Sequence, residues 1–174
     1  MTKEWKLLDE RAGSAGYIPI TTRRYLLPDL TETDWDIYGH ERTVAVLALT
    51  PAREVVLASQ FRPGPALVLD EMPGGVVEDG EEVVDAAARE LLEETGYAGE
   101  CEFAGAAWMS AGSRTRRFSV VVLNAEQVAK PKTDPGEFCE TKVVSLEEFR
   151  LQLQSGQLTD TDLGYLALDH LNLL

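Results

Sequence analysis

The chain has 174 residues, a hydrophobic fraction of 44% and a formal net charge of −14. This length suits a single compact core, so one domain is expected overall. The acidic balance argues against binding to a nucleic-acid backbone, which requires a basic surface. No apolar stretch is long enough to span a bilayer, and the first residues lack the apolar core of a signal peptide, so a cytoplasmic location is expected.

Strand patterns dominate the chain before the first predicted helix. Residues 43–50 and 54–61 are predicted to be strands that pair through a hairpin turn at Pro51-Ala52-Arg53. A further short strand is expected at residues 67–71. The segment Met72-Pro73-Gly74-Gly75 is then expected to break the chain before the helix.

A helix is predicted from about residue 81 to residue 95. Asp79 or Gly80 stands where an N-cap is expected, and Gly96 stands where a left-handed residue would end the helix. Apolar residues at three- and four-residue spacing predict the face that packs on the core. These residues are Val84, Ala87, Ala88, Leu91 and Leu92.

Three glutamates of this helix, Glu90, Glu93 and Glu94, lie off the predicted apolar face. Like charges at these spacings weaken an isolated helix. A hard cation such as Mg²⁺ would reverse that penalty, because it prefers carboxylate oxygens and completes its octahedron with waters and phosphate oxygens. Glu90 and Glu94 are therefore the first predicted metal ligands, and Glu93 is the third. The alternative is that these glutamates only solvate an exposed helix face.

The rest of the chain is predicted to contain strands at residues 102–108, 117–123 and 141–145 and helices at residues 146–154 and 160–173. Ser145 and Glu148 have the spacing of a capping box. Near the loop at residues 110–116, Arg114, Arg116 and Arg117 could supply local positive charge for phosphates. The element order predicts an α/β fold with helices on both faces of a mixed sheet. The two cysteines, Cys101 and Cys139, are expected to be reduced thiols.

A long motif around the first helix is matched in full. It reads G-x5-E-x7-R-E-U-x-E-E-x-G-U, where U is a bulky apolar residue, and it is filled by Gly75, Glu81, Arg89, Glu90, Leu91, Glu93, Glu94, Gly96 and Tyr97. The motif resembles the Nudix box, so the chain is identified as a member of the Nudix hydrolases, which cleave a nucleoside diphosphate linked to another group. The resemblance implies the Nudix αβα sandwich, with the box as a loop-helix-loop. It also implies that Arg89 orients the catalytic glutamates, among them Glu93; an ordinary ion pair of Arg89 with Glu93 is the alternative.

The segments flanking the box resemble one subgroup of the family. Gln60-Phe61-Arg62-Pro63 and Glu71-Met72-Pro73-Gly74-Gly75 are similar to the Q-[YF]-R and E-[LF]-P-[AG]-G segments of ADP-ribose and nucleotide-sugar pyrophosphatases. The resemblance implies that Arg62 contacts the diphosphate and that the main-chain carbonyl of Gly74 joins the metal shell. The alternatives are a surface ion pair for Arg62 and a turn with positive φ for Gly74.

A candidate catalytic base lies in a later loop. The segment Asp134-Pro135-Gly136-Glu137-Phe138 resembles the Gly-Glu-Phe segment of some ADP-ribose pyrophosphatases. Glu137 is therefore the predicted base that deprotonates the attacking water. Glu140 is the neighbour that could replace it, and a solvated loop glutamate is the alternative for Glu137.

Two regions depart from the subgroup. A Pro-Gly pair that commonly follows the box is replaced here by Ala111-Gly112, which leaves Gly112 as a candidate substrate-binding residue. Residues 1–42 match weakly, whereas residues 43–174 form the predicted Nudix domain. In the family, the N-terminal segment often crosses to a partner subunit, so strands that contribute to a homodimer are expected. Trp5 and Trp35 are candidates for stacking on the substrate base or, alternatively, for anchoring the dimer interface.

The resemblance thus implies Mg²⁺-dependent hydrolysis of ADP-ribose or a related nucleoside diphosphate sugar, with Mn²⁺ as a substitute cation. The products would be a nucleoside monophosphate and a sugar phosphate. The alternatives are a pyrophosphatase for GDP-mannose or another nucleotide sugar or dinucleotide, and a non-catalytic domain that senses nucleotides. The expected partner is a small molecule linked to a nucleoside diphosphate, not a nucleic acid or a membrane.

Overall fold

The computed structural model describes residues 5–133 and 138–174. The chain contacts divide it into two compact units. The first comprises the described residues up to Glu41 together with Trp108–Arg116, and the second comprises Arg42–Ala107 and the described part of Arg117–Leu174. The predicted division into residues 1–42 and 43–174 stays a prediction.

The first unit contains a three-stranded antiparallel sheet. Its strands are β1 (Lys6–Ala15), β2 (Ile18–Leu26) and β3 (Glu32–Tyr38), in the order β1-β2-β3. Gly16 turns the chain between β1 and β2 with a φ of 63°, a conformation that glycine adopts without steric cost. Strand β1 is exposed along its whole length.

The larger, seven-stranded sheet has the order β10-β5-β4-β9-β8, with β6 paired to β5 and β7 paired to β4. Its strands are β4 (Arg42–Leu49), β5 (Glu54–Arg62), β6 (Leu67–Glu71), β7 (Gly74–Val76), β8 (Tyr97–Trp108), β9 (Arg116–Gln127) and β10 (Glu140–Ser145). The predicted hairpin is confirmed, because β4 and β5 pair antiparallel across a turn in which Arg53 has a φ of 61°.

Strand β4 shows why helices cover both faces of this sheet. Its side chains alternate between two buried clusters, so that Val44 and Val46 belong to one and Ala45 and Leu47 to the other. The first cluster includes residues of helix α1 (Val83–Thr95). The second includes residues of α2 (Leu146–Ser155) and α3 (Thr161–His170). A strand buried on both faces requires the continuous apolar run that β4 has.

Helix α1 differs from the prediction at its start and in its buried face. The N-cap is Glu82, so the predicted N-cap at Asp79 or Gly80 was wrong. The helix ends as predicted at Gly96, which has a φ of 75° and donates its N–H to the carbonyl of Leu92 over 2.9 Å. The buried residues are Ala86, Ala87, Leu91, Glu94 and Thr95, whereas Ala88 and Leu92 are exposed. The sheet therefore contacts a face of α1 rotated from the predicted stripe, and this face includes one of the glutamates.

Several other element boundaries also differ from the predictions. The predicted break after β6 is partly strand, since Gly74–Val76 pairs with β4. Helix α3 ends at His170, and β8 already begins at Tyr97. The predicted capping at the start of α2 is present, because the Ser145 hydroxyl accepts the N–H of Glu148 over 3.1 Å. Within the described residues, Cys101 and Cys139 are thiols that form no disulfide, as predicted. Within the described residues, no helix combines the length and apolar character needed to cross a membrane.

Candidate active site

The Arg89 guanidinium joins the two halves of the box. Its Nη1 donates to Glu90 over 2.8 Å and to Glu93 over 3.2 Å, within the helix. Its Nε donates to Glu81 over 2.9 Å, and its Nη2 donates to Glu81 over 3.1 Å and to the carbonyl of Val76 over 3.0 Å, in the preceding loop. The predicted ion pair with Glu93 is therefore one contact of a larger network. The hydrogen bond with Glu81 is the main cause that raises the pKa of Arg89.

The loop between β7 and α1 is held by a second arginine as well. Arg42 donates from Nη2 to the carbonyl of Glu78 over 3.0 Å and to that of Glu81 over 3.1 Å. The Glu81 carboxylate also accepts the N–H of Glu78 over 2.9 Å. The hydrogen bond from Arg89 lowers the pKa of Glu81 and outweighs the opposing effect of burial, and the hydrogen bond from the Glu78 N–H lowers the pKa further. The Glu81 carboxylate thus joins the loop to Arg89 of helix α1.

Glu94 is a buried carboxylate, with 5% of its surface exposed. It accepts the main-chain N–H of Gly74 over 3.1 Å, which joins α1 to β7. A Cβ atom on Gly74 would overlap the carbonyl oxygen of Val44 and lie 2.9 Å from the Cα of Ala45. Gly74 does not have a positive φ, so the alternative of a left-handed turn was wrong. The glycine is required by the close approach of β4 instead.

Gly75 makes room for Glu90, another of the predicted metal ligands. A Cβ atom on Gly75 would overlap the Glu90 carboxylate and lie 2.6 Å from its Cδ. The Glu90 carboxylate therefore rests against the backbone of β7. The consecutive glycines of β7 accordingly contact Glu94 and Glu90, the two glutamates predicted as the first metal ligands.

The donor atoms of this region suit a hard divalent cation. Glu90, Glu93 and Glu94 offer carboxylate oxygens beside the backbone of Gly74 and Gly75, and such oxygens are the ligands that Mg²⁺ and Ca²⁺ prefer. Within residues 5–133 and 138–174, no group of three or more His, Cys, Asp or Glu side chains already converges on one point. The Arg89 guanidinium pairs with Glu90 and Glu93 and so offsets part of the repulsion between these two carboxylates. The residues therefore fit a cation by the chemistry of their donor atoms.

Arg62 pairs with a residue to which the sequence had assigned no role. Its Nε donates to the Glu71 carboxylate over 2.5 Å, and Glu71 is only 1% exposed whereas the Arg62 side chain is 38% exposed. Burial lowers the pKa of Arg62, but the hydrogen bond with Glu71 and the charges of Glu71, Glu94 and Asp160 outweigh it and leave the pKa raised. Its predicted contact with a diphosphate stays a prediction. The sequence signal that could have pointed to Glu71 is its position as a glutamate at the end of a predicted strand, two residues before Pro73.

The predicted group of arginines does not act as one cluster. Arg117 lies on β9, is buried, and pairs with Asp160 and with Asp162, the latter over 3.0 Å, at the start of α3. The prediction that Arg117 supplies charge to a phosphate was therefore wrong, because its charge is used within the fold. Arg116 lies 5.1 Å from the ring of Trp108 within the first unit.

The remaining candidate residues belong to the first unit, to the start of β10, or to the segment outside the described residues. Trp5 and Trp35 belong to the first unit, where their ring centroids are 5.8 Å apart. Gly112 is in the same unit and its carbonyl accepts the N–H of Tyr38 over 3.3 Å. Glu137 lies outside the described residues, and Glu140 is an exposed residue at the start of β10. The roles of these residues in binding and catalysis stay predictions.

Comparisons with known proteins identify the family of the chain. The NUDIX domain model matches residues 39–162. The chain is 30% identical over 174 residues to an ADP-ribose pyrophosphatase of Bacillus subtilis (strain 168), covering 98% of this chain and 94% of that protein. It is 42% identical over 99 residues to an ADP-sugar pyrophosphatase of Mus musculus, covering 53% of this chain and 44% of that protein.

A solved structure described as an ADP compounds hydrolase has a TM-score of 0.80 at 14% identity and covers 100% of this chain and 99% of that chain. At this identity the likeness concerns the fold, and it confirms the predicted α/β Nudix architecture. Together with the matched domain and the carboxylate site around Arg89, these similarities establish that the chain belongs to the Nudix hydrolase family and resembles its ADP-ribose and ADP-sugar pyrophosphatases.

Proposed function

We propose that the protein is a Mg²⁺-dependent pyrophosphatase that converts ADP-ribose or a related nucleoside diphosphate sugar into a nucleoside monophosphate and a sugar phosphate. The observation that carries the proposal is that the Glu90 and Glu94 carboxylates lie against Gly75 and Gly74 of β7, while Arg89 holds helix α1 to the loop before it. The two relatives are an ADP-ribose pyrophosphatase and an ADP-sugar pyrophosphatase, which favours an ADP-linked substrate. The first of them matches nearly all of this chain.

In this proposal, Glu90, Glu94 and the carbonyl of Gly74 hold the cation, and Glu93 assists them. Nudix hydrolases generally use divalent ions, and Mg²⁺, or Mn²⁺ in its place, suits these oxygen donors. When bound, such a cation draws charge from phosphoryl oxygens. Because Glu94 is buried and accepts the N–H of Gly74, its carboxyl group is held at a fixed place.

The protein's other residues would bind the diphosphate and prepare the attacking water. Arg62 supplies positive charge on β5, and the negative charge of Glu94 contributes, after that of Glu71, to raising its pKa. Glu137 is proposed as the base that takes the proton from water, with Glu140 as its substitute. Trp5, Trp35 and Gly112 are proposed to contact the remainder of the substrate.

A homodimer in the cytoplasm is also proposed. Strand β1 exposes its whole length, and Leu7 and Leu8 are among the exposed large apolar residues of the first unit. Apolar side chains on an exposed strand are suited to burial against a second copy of the chain. Sedimentation equilibrium should give a dimer mass for the wild type, and replacing Leu7 and Leu8 by Glu should shift it toward a monomer. A monomeric wild type would contradict this part of the proposal.

The test of the reaction is product analysis. The protein is freed of metal with EDTA, supplied with Mg²⁺, and incubated separately with ADP-ribose, GDP-mannose, UDP-glucose, NADH and diadenosine polyphosphates. We expect AMP and ribose 5-phosphate from ADP-ribose only when Mg²⁺ is restored. A preference for another substrate would retain the pyrophosphatase chemistry and reject ADP-ribose. Metal-dependent ligand binding without any product would favour a nucleotide sensor.

A further inference from the structure

Glu71 is a buried carboxylate outside the Nudix box. It is the last residue of β6 and is 1% exposed. A buried charge is costly unless it is paired and hydrogen-bonded. Both carboxylate oxygens of Glu71 meet this requirement, because Oε2 accepts from Arg62 Nε over 2.5 Å and Oε1 accepts from the Thr159 hydroxyl.

Thr159 is itself fixed from the opposite side. It lies just before α3, and its carbonyl accepts from Nη2 of Arg117 over 3.4 Å. Arg117 is buried and paired with Asp160 and Asp162 at the first turn of that helix. The hydroxyl that holds Glu71 is therefore anchored to both β9 and α3, so Glu71 has little freedom to change its rotamer.

The contact with Glu71 engages one edge of the Arg62 side chain. Across the described residues, Nε is the Arg62 nitrogen that takes part in a hydrogen bond, which leaves the N–H groups of Nη1 and Nη2 for a ligand. A planar guanidinium with one edge fixed is suited to bind phosphate oxygens through its other edge. The Arg62 side chain is 38% exposed, so it is accessible to a ligand in solution.

We infer that Glu71 is a positioning residue: with the Thr159 hydroxyl it fixes the orientation of Arg62 so that Nη1 and Nη2 receive the substrate diphosphate. The inference rests on the proposed function, in which Arg62 contacts that diphosphate. It adds two residues outside the box, from β6 and from the segment before α3, to the machinery that binds the substrate.

Whether Glu71→Gln weakens or strengthens diphosphate binding distinguishes a positioning role of Glu71 from a purely electrostatic one. Glu71 is negative, so its field by itself disfavours an anion bound beside Arg62. If Glu71 acted only through its charge, Glu71→Gln would strengthen diphosphate binding. If it positions Arg62, the same substitution weakens binding, because a neutral amide holds a guanidinium less firmly than a carboxylate does.

The experiment measures binding of α,β-methylene-ADP, whose diphosphate cannot be hydrolysed, by calorimetry with Mg²⁺ present. We expect Glu71→Gln and Arg62→Gln each to raise Kd about tenfold, the range expected for a charge-assisted hydrogen bond. The double variant should be no weaker than Arg62→Gln alone, because Glu71 acts through Arg62. Asp70→Asn is the matched control, since Asp70 precedes Glu71 on β6 but pairs with Lys142, and it should leave Kd unchanged.

The Thr159 hydroxyl provides an independent pair of variants should Glu71→Gln fold poorly. Thr159→Val removes the hydroxyl at nearly constant shape and should raise Kd, whereas Thr159→Ser keeps it and should restore wild-type binding. With ADP-ribose as substrate, Glu71→Gln should raise KM more than it lowers kcat. Equal or tighter binding by Glu71→Gln, or losses that add to those of Arg62→Gln, would overturn the inference.

The two proposals fail in different ways. If the wild type binds the analogue through Arg62 and Glu71 but does not hydrolyse ADP-ribose, the proposed function fails and the positioning role stands. If the wild type hydrolyses ADP-ribose and Glu71→Gln binds and turns over like the wild type, the positioning role alone fails. A wild type that neither binds the analogue nor hydrolyses ADP-ribose would overturn both.

Discussion

The main-chain N–H of Gly74 donates a hydrogen bond to the Glu94 carboxylate over 3.1 Å, and this contact joins strand β7 to helix α1. Glu94 is 5% exposed, so this N–H helps to compensate a charge that has left water. The same strand places Gly75 against Glu90. The positions of the two candidate metal ligands are therefore set by the backbone of β7 as well as by the helix that carries them.

Glu94→Gln should abolish turnover without unfolding the protein. The amide can still accept the Gly74 N–H, so packing should persist, whereas the negative charge proposed to hold the cation is lost. We expect kcat to fall at least about 100-fold, as for loss of a metal ligand, with circular dichroism unchanged. Asp85→Asn, an exposed carboxylate on the same helix, is the control. Full activity of Glu94→Gln would reject its role as a ligand.

Substitutions of Gly74 and Gly75 in β7 should have different effects, on thermal stability for Gly74 and on catalytic activity for Gly75. In Gly74→Ala the new methyl group meets the backbone of Val44 and Ala45, which cannot move easily, so the midpoint of thermal unfolding should fall by several degrees. In Gly75→Ala it meets the flexible end of Glu90, so the fold should survive while kcat/KM falls about tenfold or more. Gly64→Ala, which meets no atom within 4 Å, should change neither quantity. Equal thermal destabilisation by Gly74→Ala and Gly64→Ala would contradict this reading.

The pairing of Glu81 with Arg89 should make stability depend on acid pH. The pKa of Glu81 is lowered in the folded state, so its contribution to stability is present above the unfolded value of about 4.5 and is lost as pH falls through the lower folded value. The free energy of unfolding is measured with urea at neutral pH and at a pH below the folded-state pKa of Glu81. Its loss on acidification should be smaller in Glu81→Gln than in the wild type. Identical pH profiles would show that this pair does not contribute.

Arg117→Met should destabilise the fold, because Asp160 and Asp162 lose their buried cation. We expect the free energy of unfolding to fall by about 2 kcal/mol, the usual loss for hydrogen bonds to a charged group. Urea denaturation measures this change directly. Arg150→Met, on the exposed face of α2, should change it by less than about 0.5 kcal/mol. If Arg117→Met were as stable as this control, the structural role of Arg117 would be rejected.

Helix α1 shows which structural features the local sequence pattern can predict. Its end at Gly96 was predictable, because a glycine with positive φ is a local steric requirement. Its buried face was predicted only in part, since Ala88 and Leu92 are exposed while Glu94 is buried. The spacing of apolar residues cannot tell which of two adjacent faces the sheet covers, because that depends on how the helix docks on β4.

The sequence by itself determined the motif, the family and most of the elements from β4 onward, because these depend on residue identity and spacing along the chain. It also singled out Glu90 and Glu94. Only the tertiary structure decided that Glu71 is the partner of Arg62 and that Arg117 is committed to α3, since these pairs join residues distant in sequence. The physical reason is that a charged side chain has many potential partners along a chain, and only packing and burial select the one that neutralises it.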